Sequence, residues 1–336
     1  MRFSESLQRN VIDTSFGGIF NRFKVRKRRD ILFFEDIFAK YFSLCDDMGY
    51  SHEIRDIARE WMGTISPKFV STRLQLISPV KIVNSIGNVI WRNLGLLDSI
   101  KIAEKGRKIS SVSKNEMITR LIGKNSFMIG CAEGILSSLY KTRINCIYHK
   151  QARDASIYEF DILEEEFDFP SKTGNKYEKL NMASNSEENI IRKALLKRLF
   201  TLRNNRIYFR DSSIIVAENT LFHLIGDKGL LLKSLPGISY EYFKQHVSDS
   251  SHEGKLLLLK NIMRSMGWGT TAIFYDPENL RIKVSIRNPP HGFQLGSDNW
   301  DFFIGVILGF LWLINTKFRV SEKTYHENTL RITFCI

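Results

Sequence analysis

The sequence predicts an α+β fold made of two tandem copies of a helical layer with short antiparallel hairpins, forming a pseudo-dimer. Three observations predict it. The unit Gly130-Cys131-Ala132-Glu133-Gly134 returns as Gly305-Val306-Ile307-Leu308-Gly309, an offset of 305 − 130 = 175 residues. Each unit is followed by two strand-like runs, residues 142–148 and 155–162 in one copy and 317–320 and 330–336 in the other. Each is also preceded by a helix-ending glycine, Gly95 or Gly267, at 130 − 95 = 35 and 305 − 267 = 38 residues. Self-similarity on the scale of a domain is the mark of duplication.

In chain order, residues 31–45 and 53–61 are expected helices, the first with Phe34, Ile37, Phe38, Tyr41 and Phe42 on one apolar face. Ser78-Pro79 supplies a capping hydroxyl and a first-turn proline for the next helix, which Gly95 ends. Residues 99–103 and 108–112 form the expected hairpin and 127–140 the following helix. Residues 164–189 are polar and contain Pro170 and Gly174, which makes them a linker between a first domain, 1–163, and a second, 190–336. In the second copy, residues 214–224 and 238–247 are the counterparts of the two early helices. Residues 253–266 carry leucines and methionines at helical spacing and stop at Gly267, because glycine tolerates the left-handed geometry that ends helices. Strands at 270–275 and 280–286 flank the turn Asp276-Pro277-Glu278-Asn279. Asn288-Pro289-Pro290-His291-Gly292 then breaks the structure before an apolar helix at 300–314 and two closing strands.

The 336 residues suit two ordinary domains, and 43% hydrophobic with 25% charged residues is the composition of a folded chain. Lys and Arg number 49 against 36 Asp and Glu, a net charge of +13 that favours an anionic partner such as nucleic acid or a membrane surface. The apolar run 302–314 is shorter than the roughly 20 residues a membrane span needs. Cys45, Cys131, Cys146 and Cys335 are widely spaced and read as reduced, buried thiols; with no apolar leader at Met1, a cytoplasmic location is expected.

The glycine-ended helix before a hairpin (Leu94-Gly95 and Met266-Gly267-Trp268-Gly269), the Asn288-Pro289 break, the Gly-x-x-x-Gly helix and the closing hairpins resemble the 4-vinyl reductase-like domain. Those hairpins end in Tyr158-Glu159-Phe160-Asp161-Ile162 and Ile332-Thr333-Phe334-Cys335-Ile336. That family is related in fold to the small subunits of the transport protein particle and to haem nitric-oxide-associated sensory modules. The resemblance implies a domain that dimerises, here fused into one chain, and an apolar ligand held between long helices. It also implies a cysteine-bearing site in the closing hairpin, but the matching positions fall near Lys150 and Thr324, and near Tyr158 and Ile332. No thiolate zinc site can form from those residues, so no metal and no cofactor is expected.

The seven histidines show no metal-ligand spacing, and no nucleophile elbow or phosphate-binding glycine loop is present, so no enzyme is expected. Two candidate sites remain. Arg22, Lys24, Arg26, Lys27, Arg28 and Arg29 form a basic surface suited to phosphate groups of nucleic acid or lipid, or else a solvated helix start. Trp268, Trp300, Phe303 and Trp312 in the second copy, with Trp91 and Phe127 in the first, either line a pocket for a small apolar ligand or fill the core. Residues 192–199 form an amphipathic basic helix, expected to cover the core. The glycine pairs allow close helix approach within each half, the preferred reading, or across a fused dimer. The expectation is a non-enzymatic binding or scaffold protein that senses a small apolar ligand or presents a surface to partner proteins, with nucleic-acid binding as the alternative.

Overall fold

The computed structural model describes residues 12–13, 20–21, 30–69, 77–166, 190–204, 206–218, 220–248, 250–289, 300–327 and 329–336. The chain begins with the short strands β1 (Ile12–Asp13) and β2 (Phe20–Asn21), which pair, and β3 (Asp30–Phe34). Helices α1 (Glu35–Asp47) and α2 (Ser51–Phe69) follow, then α3, which runs through Pro79–Lys81, Ile82–Gly87 and Asn88–Asn93 with its middle part in π geometry. Next come β4 (Ser99–Lys105), β5 (Lys108–Lys114), α4 (Thr119–Ile122), α5 (Ser126–Tyr140), β6 (Thr142–Gln151) and β7 (Ala155–Glu166). The remainder is α6 (Ile190–Leu196), β8 (Thr201–Arg203), β9 (Arg206–Phe209), β10 (Ser212–Glu218), α7 (Thr220–Lys228), α8 (Leu235–His246) and α9 (His252–Ser265). It closes with β11 (Thr270–Asp276), β12 (Arg281–Arg287), α10 (Asp301–Leu311), β13 (Arg319–His326) and β14 (Thr329–Cys335).

This is an α+β chain with antiparallel sheets, and it divides into two compact units. Among the described residues the first unit holds 38–166 with 204 and 206, and the second holds 12–37, 190–203 and 207–336. One division therefore falls inside α1, between Ile37 and Phe38, and another between Glu166 and Ile190, where the linker is expected. Strand β7 runs on to Glu166, three residues into the expected linker; 167–189 lie outside the described residues.

In the first unit the sheet has the order β4-β5-β7-β6. Ser78 caps α3 by accepting from the Lys81 N–H at 3.4 Å, and Gly95 ends it at φ 73°. The edge strand β4 is held by that helix: the Asn84 side chain accepts from Ile102 N at 2.7 Å and donates to Ile102 O at 2.9 Å, while Asn88 accepts from Ile100 N at 3.3 Å. Two side-chain amides thus stand in for a neighbouring strand. Helix α5 lies on α2, and Cβ atoms at Gly130 and Gly134 would collide with the carbonyl oxygens of Arg55 and Arg59, so only glycine fits there.

The second unit has a sheet of the same order, β11-β12-β14-β13, and a second sheet β3-β10-β9-β8. Helix α10 lies on α8 in the same way, because a Cβ at Gly309 would strike the Pro236 carbonyl and one at Gly305 would stand 2.8 Å from Leu235 Cβ. Both glycine pairs therefore pack helices inside their own unit.

The expected helices at 31–45 and 214–224 each begin instead as strands, β3 and β10, which pair antiparallel with Leu32 opposite Val216. Ile31, Leu32, Phe33 and Phe34 are all fully buried. A short run buried on every side carries no periodicity that separates strand from helix. The other edge of β3 is satisfied by a helix end: Leu32 N donates to Met266 O at 2.9 Å, and Trp268 Nε1 donates to Leu32 O at 2.9 Å.

Candidate functional site

The expected pocket aromatics are packed on other rings. Trp268 stacks on Phe33 at 5.4 Å and meets Phe303 edge-on at 4.9 Å, and Trp300 stacks on Tyr325 at 4.9 Å. Trp312 is half-buried, with Nε1 donating to Phe318 O at 3.0 Å and Arg319 5.8 Å over its ring. In the first unit Phe127 stacks on Phe42 at 4.3 Å and on Trp61 at 5.9 Å, while Trp91 is half-buried against the aliphatic core and the Gly87 backbone. Four of the six belong to the second unit and two to the first, and neither cavity described below is lined by any of them. Arg22, Lys24, Arg26, Lys27, Arg28 and Arg29 lie outside the described residues.

Composition and spacing gave no sign of the charge cluster buried in the first unit. The Glu133 carboxylate on α5 accepts from Arg55 Nε at 2.8 Å and from Arg55 Nη2. It also accepts from Arg59 Nε at 3.1 Å, Arg59 Nη2 at 2.6 Å and the Cys146 N–H at 2.7 Å. Burial alone would raise the pKa of this carboxyl, but the Arg55 hydrogen bond and the Arg59 charge outweigh it and hold the group below the usual glutamate value. Arg55 also donates to Cys146 O at 3.4 Å and Arg59 to Asp56 at 3.1 Å, so the cluster ties α2, α5 and β6 together. In the second unit Leu308 stands where Glu133 stands in the first, between the two glycines at an offset of 308 − 133 = 175 residues, and α10 is apolar throughout that face.

A second buried carboxylate, Glu116, accepts from Tyr158 at 2.7 Å, from Thr119 at 3.2 Å and from Ser113. Beside it Ile118 stands at φ 65°, ψ −57°, in a γ-turn closed by Thr119 N donating to Met117 O at 2.6 Å. That conformation is strained for a β-branched residue. The three cysteines of the first unit all have raised thiol pKa values. Burial and the adjacent Glu133 carboxylate push Cys146 up to about 11, burial pushes Cys45 up to about 11, and burial with the Glu116 charge drives Cys131 well above the ordinary thiol value.

The basic cavity lies in the second unit. It has a volume of 530 Å³ and sits where the end of α6, the β9–β10 turn and the C-terminal half of α9 meet. Lys193, Lys197 and Arg198 come from α6 and its cap, Arg210 from the turn and Arg264 from α9, with Asn261 and Ser265 as further polar groups. The described residues lining it include no Asp or Glu. Two of the cations occupy backbone positions that ordinarily take glycine or asparagine. Arg198 ends α6 at φ 57°, with Leu199 N donating back to Ala194 O at 2.9 Å, and Arg210 turns the β9–β10 hairpin at φ 57°. Arg203 Nη2 donates to Arg210 O at 2.8 Å and fixes that turn. An arginine at such a position costs about 1 kcal/mol relative to glycine.

From sequence, the amphipathic helix at 192–199 carries three of these cations and is expected only to cover the core. Arg210 and Arg264 joined them only through the fold, since they lie 12 and 66 residues from Arg198. Among the described residues no group of three His, Cys, Asp or Glu side chains is placed to hold a metal ion, and no helix is long and apolar enough to cross a membrane. No protein-family model and no curated protein sequence matches the chain.

Proposed function

We propose that the protein is a non-enzymatic binding protein whose second unit takes a phosphate-bearing ligand in the basic cavity. The observation that supports this is five cations around one cavity with no carboxylate among the described lining residues. Cations converging on one cavity repel one another, and an anion bound among them lowers that repulsion. Five cations exceed what a single phosphate neutralises, so the ligand carries two or more phosphoryl groups. A cavity of 530 Å³ is the size of small-ligand sites.

Titration calorimetry with inorganic pyrophosphate, orthophosphate and a twelve-nucleotide single strand tests the reading. Pyrophosphate is expected to bind more tightly than orthophosphate, to weaken as salt rises, and to lose at least about tenfold in affinity in Arg264→Ala. Absence of pyrophosphate binding at low ionic strength would overturn it. An oligonucleotide that binds and is not displaced by pyrophosphate would assign the cations to a nucleic-acid backbone instead.

We also infer that the chain is a tandem of one domain type, of the 4-vinyl reductase-like kind. The shared strand order of the two sheets and the matched packing of both glycine pairs support this. An experimental structure in which the two units fail to superpose would refute it.

A further inference from the structure

The matched halves differ at one edge. Counted back from the helix-ending glycine, Asn84 and Asn88 stand 95 − 84 = 11 and 95 − 88 = 7 residues before Gly95. Leu256 and Lys260 stand 267 − 256 = 11 and 267 − 260 = 7 residues before Gly267. The strands correspond as well: Ile102 lies opposite Ser111 and Ile273 opposite Val284, the fourth pair of each hairpin counted from Ser99 and from Thr270. In the first unit, therefore, two asparagines close the free edge of β4. In the second, a leucine and a lysine occupy those places, and neither can both donate to and accept from a strand.

A cavity of 640 Å³ opens there, walled by His252, Glu253, Leu256, Leu257 and Lys260 of α9 and by Ile273 and Tyr275 of β11. Among the described residues β11 pairs with β12 alone. The alternation that turns Ile100 and Ile102 outward in β4 turns Thr271, Ile273 and Tyr275 outward in β11, so their N–H and C=O groups face this groove. An edge strand beside an apolar groove is the arrangement that accepts an added strand.

We propose that β11 and α9 form a docking groove for an extended segment of a partner protein in which apolar and acidic residues alternate. The backbone of the segment pairs with the free edge of β11. Its apolar side chains enter the groove over Leu256, Leu257 and Ile273, where Leu257 is 57% exposed without a partner strand. Its alternate side chains lie over the opposite face of the sheet, where Phe274 is 63% exposed and the next strand presents Arg281, Lys283 and Arg287, all exposed. Glu253 offsets Lys260 in the groove and Asp276 of β11 lies opposite Arg281, so Lys283 and Arg287 are the surplus cations that make acidic residues the complement on that face. The site is separate from the basic cavity and does not depend on its ligand.

The test uses the full chain and a fluorescein-labelled ten-residue peptide of alternating valine and glutamate, with a valine–lysine peptide as control. Fluorescence anisotropy is expected to show binding of the acidic peptide and at least tenfold weaker binding of the basic one. The double variant Leu256→Asn, Lys260→Asn restores the asparagine closure of the first unit and is expected to lower affinity for the acidic peptide at least tenfold while leaving pyrophosphate binding unchanged. Hydrogen exchange is expected to show the Ile273 amide exchanging faster than Ile102 in the free protein and slowing when peptide is added. Equal affinity for both peptides, no binding, or binding unaffected by the double variant would overturn the proposal. A chain that sediments as a dimer and becomes a monomer in the double variant would also overturn it, by giving the edge to a second copy.

Discussion

Removing the Glu133 carboxylate would leave the mostly buried guanidinium groups of Arg55 and Arg59 with only the more exposed Asp56, paired to Arg59, as counter-charge, which costs far more than the pair itself contributes. Glu133→Ala is expected to lower unfolding free energy by about 3 kcal/mol, read from urea denaturation. Because the folded pKa is depressed, the stabilisation is fully present above the unfolded value of about 4.3 and is lost as pH falls through the lower folded value. Wild type should therefore lose stability over that acid range, and the variant should show a flatter profile; parallel profiles would refute the assignment. Arg198 separates stability from binding in the opposite direction. Arg198→Gly relieves a left-handed arginine and is expected to stabilise the fold by about 1 kcal/mol while weakening pyrophosphate binding several-fold. A variant that is stabilised and binds normally would show that Arg198 serves only the cap. None of these pairings was legible in the sequence, because Arg55 and Glu133 are 78 residues apart and no spacing rule links a helix to a later helix across a hairpin.

Helix α5 meets α2, and α10 meets α8, through backbone rather than side chains at the glycine pairs. Gly134→Ala and Gly309→Ala each place a methyl group against a carbonyl oxygen that belongs to a regular helix and cannot move alone. Each is expected to cost about 3 kcal/mol or more by thermal or urea unfolding, and a loss below 1 kcal/mol would mean that the helices slide apart freely. The sequence located helices α3 and α9 well because their ends carry chemistry: Ser78 and Ser251 accept from backbone N–H groups, and Gly95 and Gly267 take positive φ. The hairpins of the second unit were equally legible, since their alternating apolar residues match the buried positions of β12 and β14; in β5 the match fails, because Ser111 and Ser113 are buried and Val112 is exposed. Strands β3 and β10 were not. Burial on all sides removed the alternation that would have marked them, and their pairing depends on a partner some 180 residues away.

At the scale of the chain, the described residues of the first unit begin at Phe38 and those preceding it belong with the second. A fragment of residues 38–166 is therefore expected to unfold cooperatively on its own, whereas a chain lacking 1–37 should lose stability in the second unit, because Ile31–Phe34 fill its core. Circular dichroism melts of both pieces check this, and a second unit indifferent to that loss would refute it. The glycine repeat on which the proposed duplication rests was visible in the sequence. The trade of a strand between sequence halves was not, since it leaves the local pattern of each half unchanged.

The position of β3 has a consequence for the newborn chain. Its partner β10 ends at Glu218, which is 218 − 34 = 184 residues after Phe34. At about 5–20 residues per second, translation takes roughly 10 to 40 s to supply it. Throughout that interval Ile31-Leu32-Phe33-Phe34 is an apolar segment with no strand to join, while residues 38–166 are completed and can fold around nothing that belongs to it. Nascent chains arrested near residue 200 should therefore be cleaved by protease around Phe33, and chains arrested beyond the end of the protein should be resistant there. Protection at the earlier stage would mean that something else shelters the segment until its own sheet arrives.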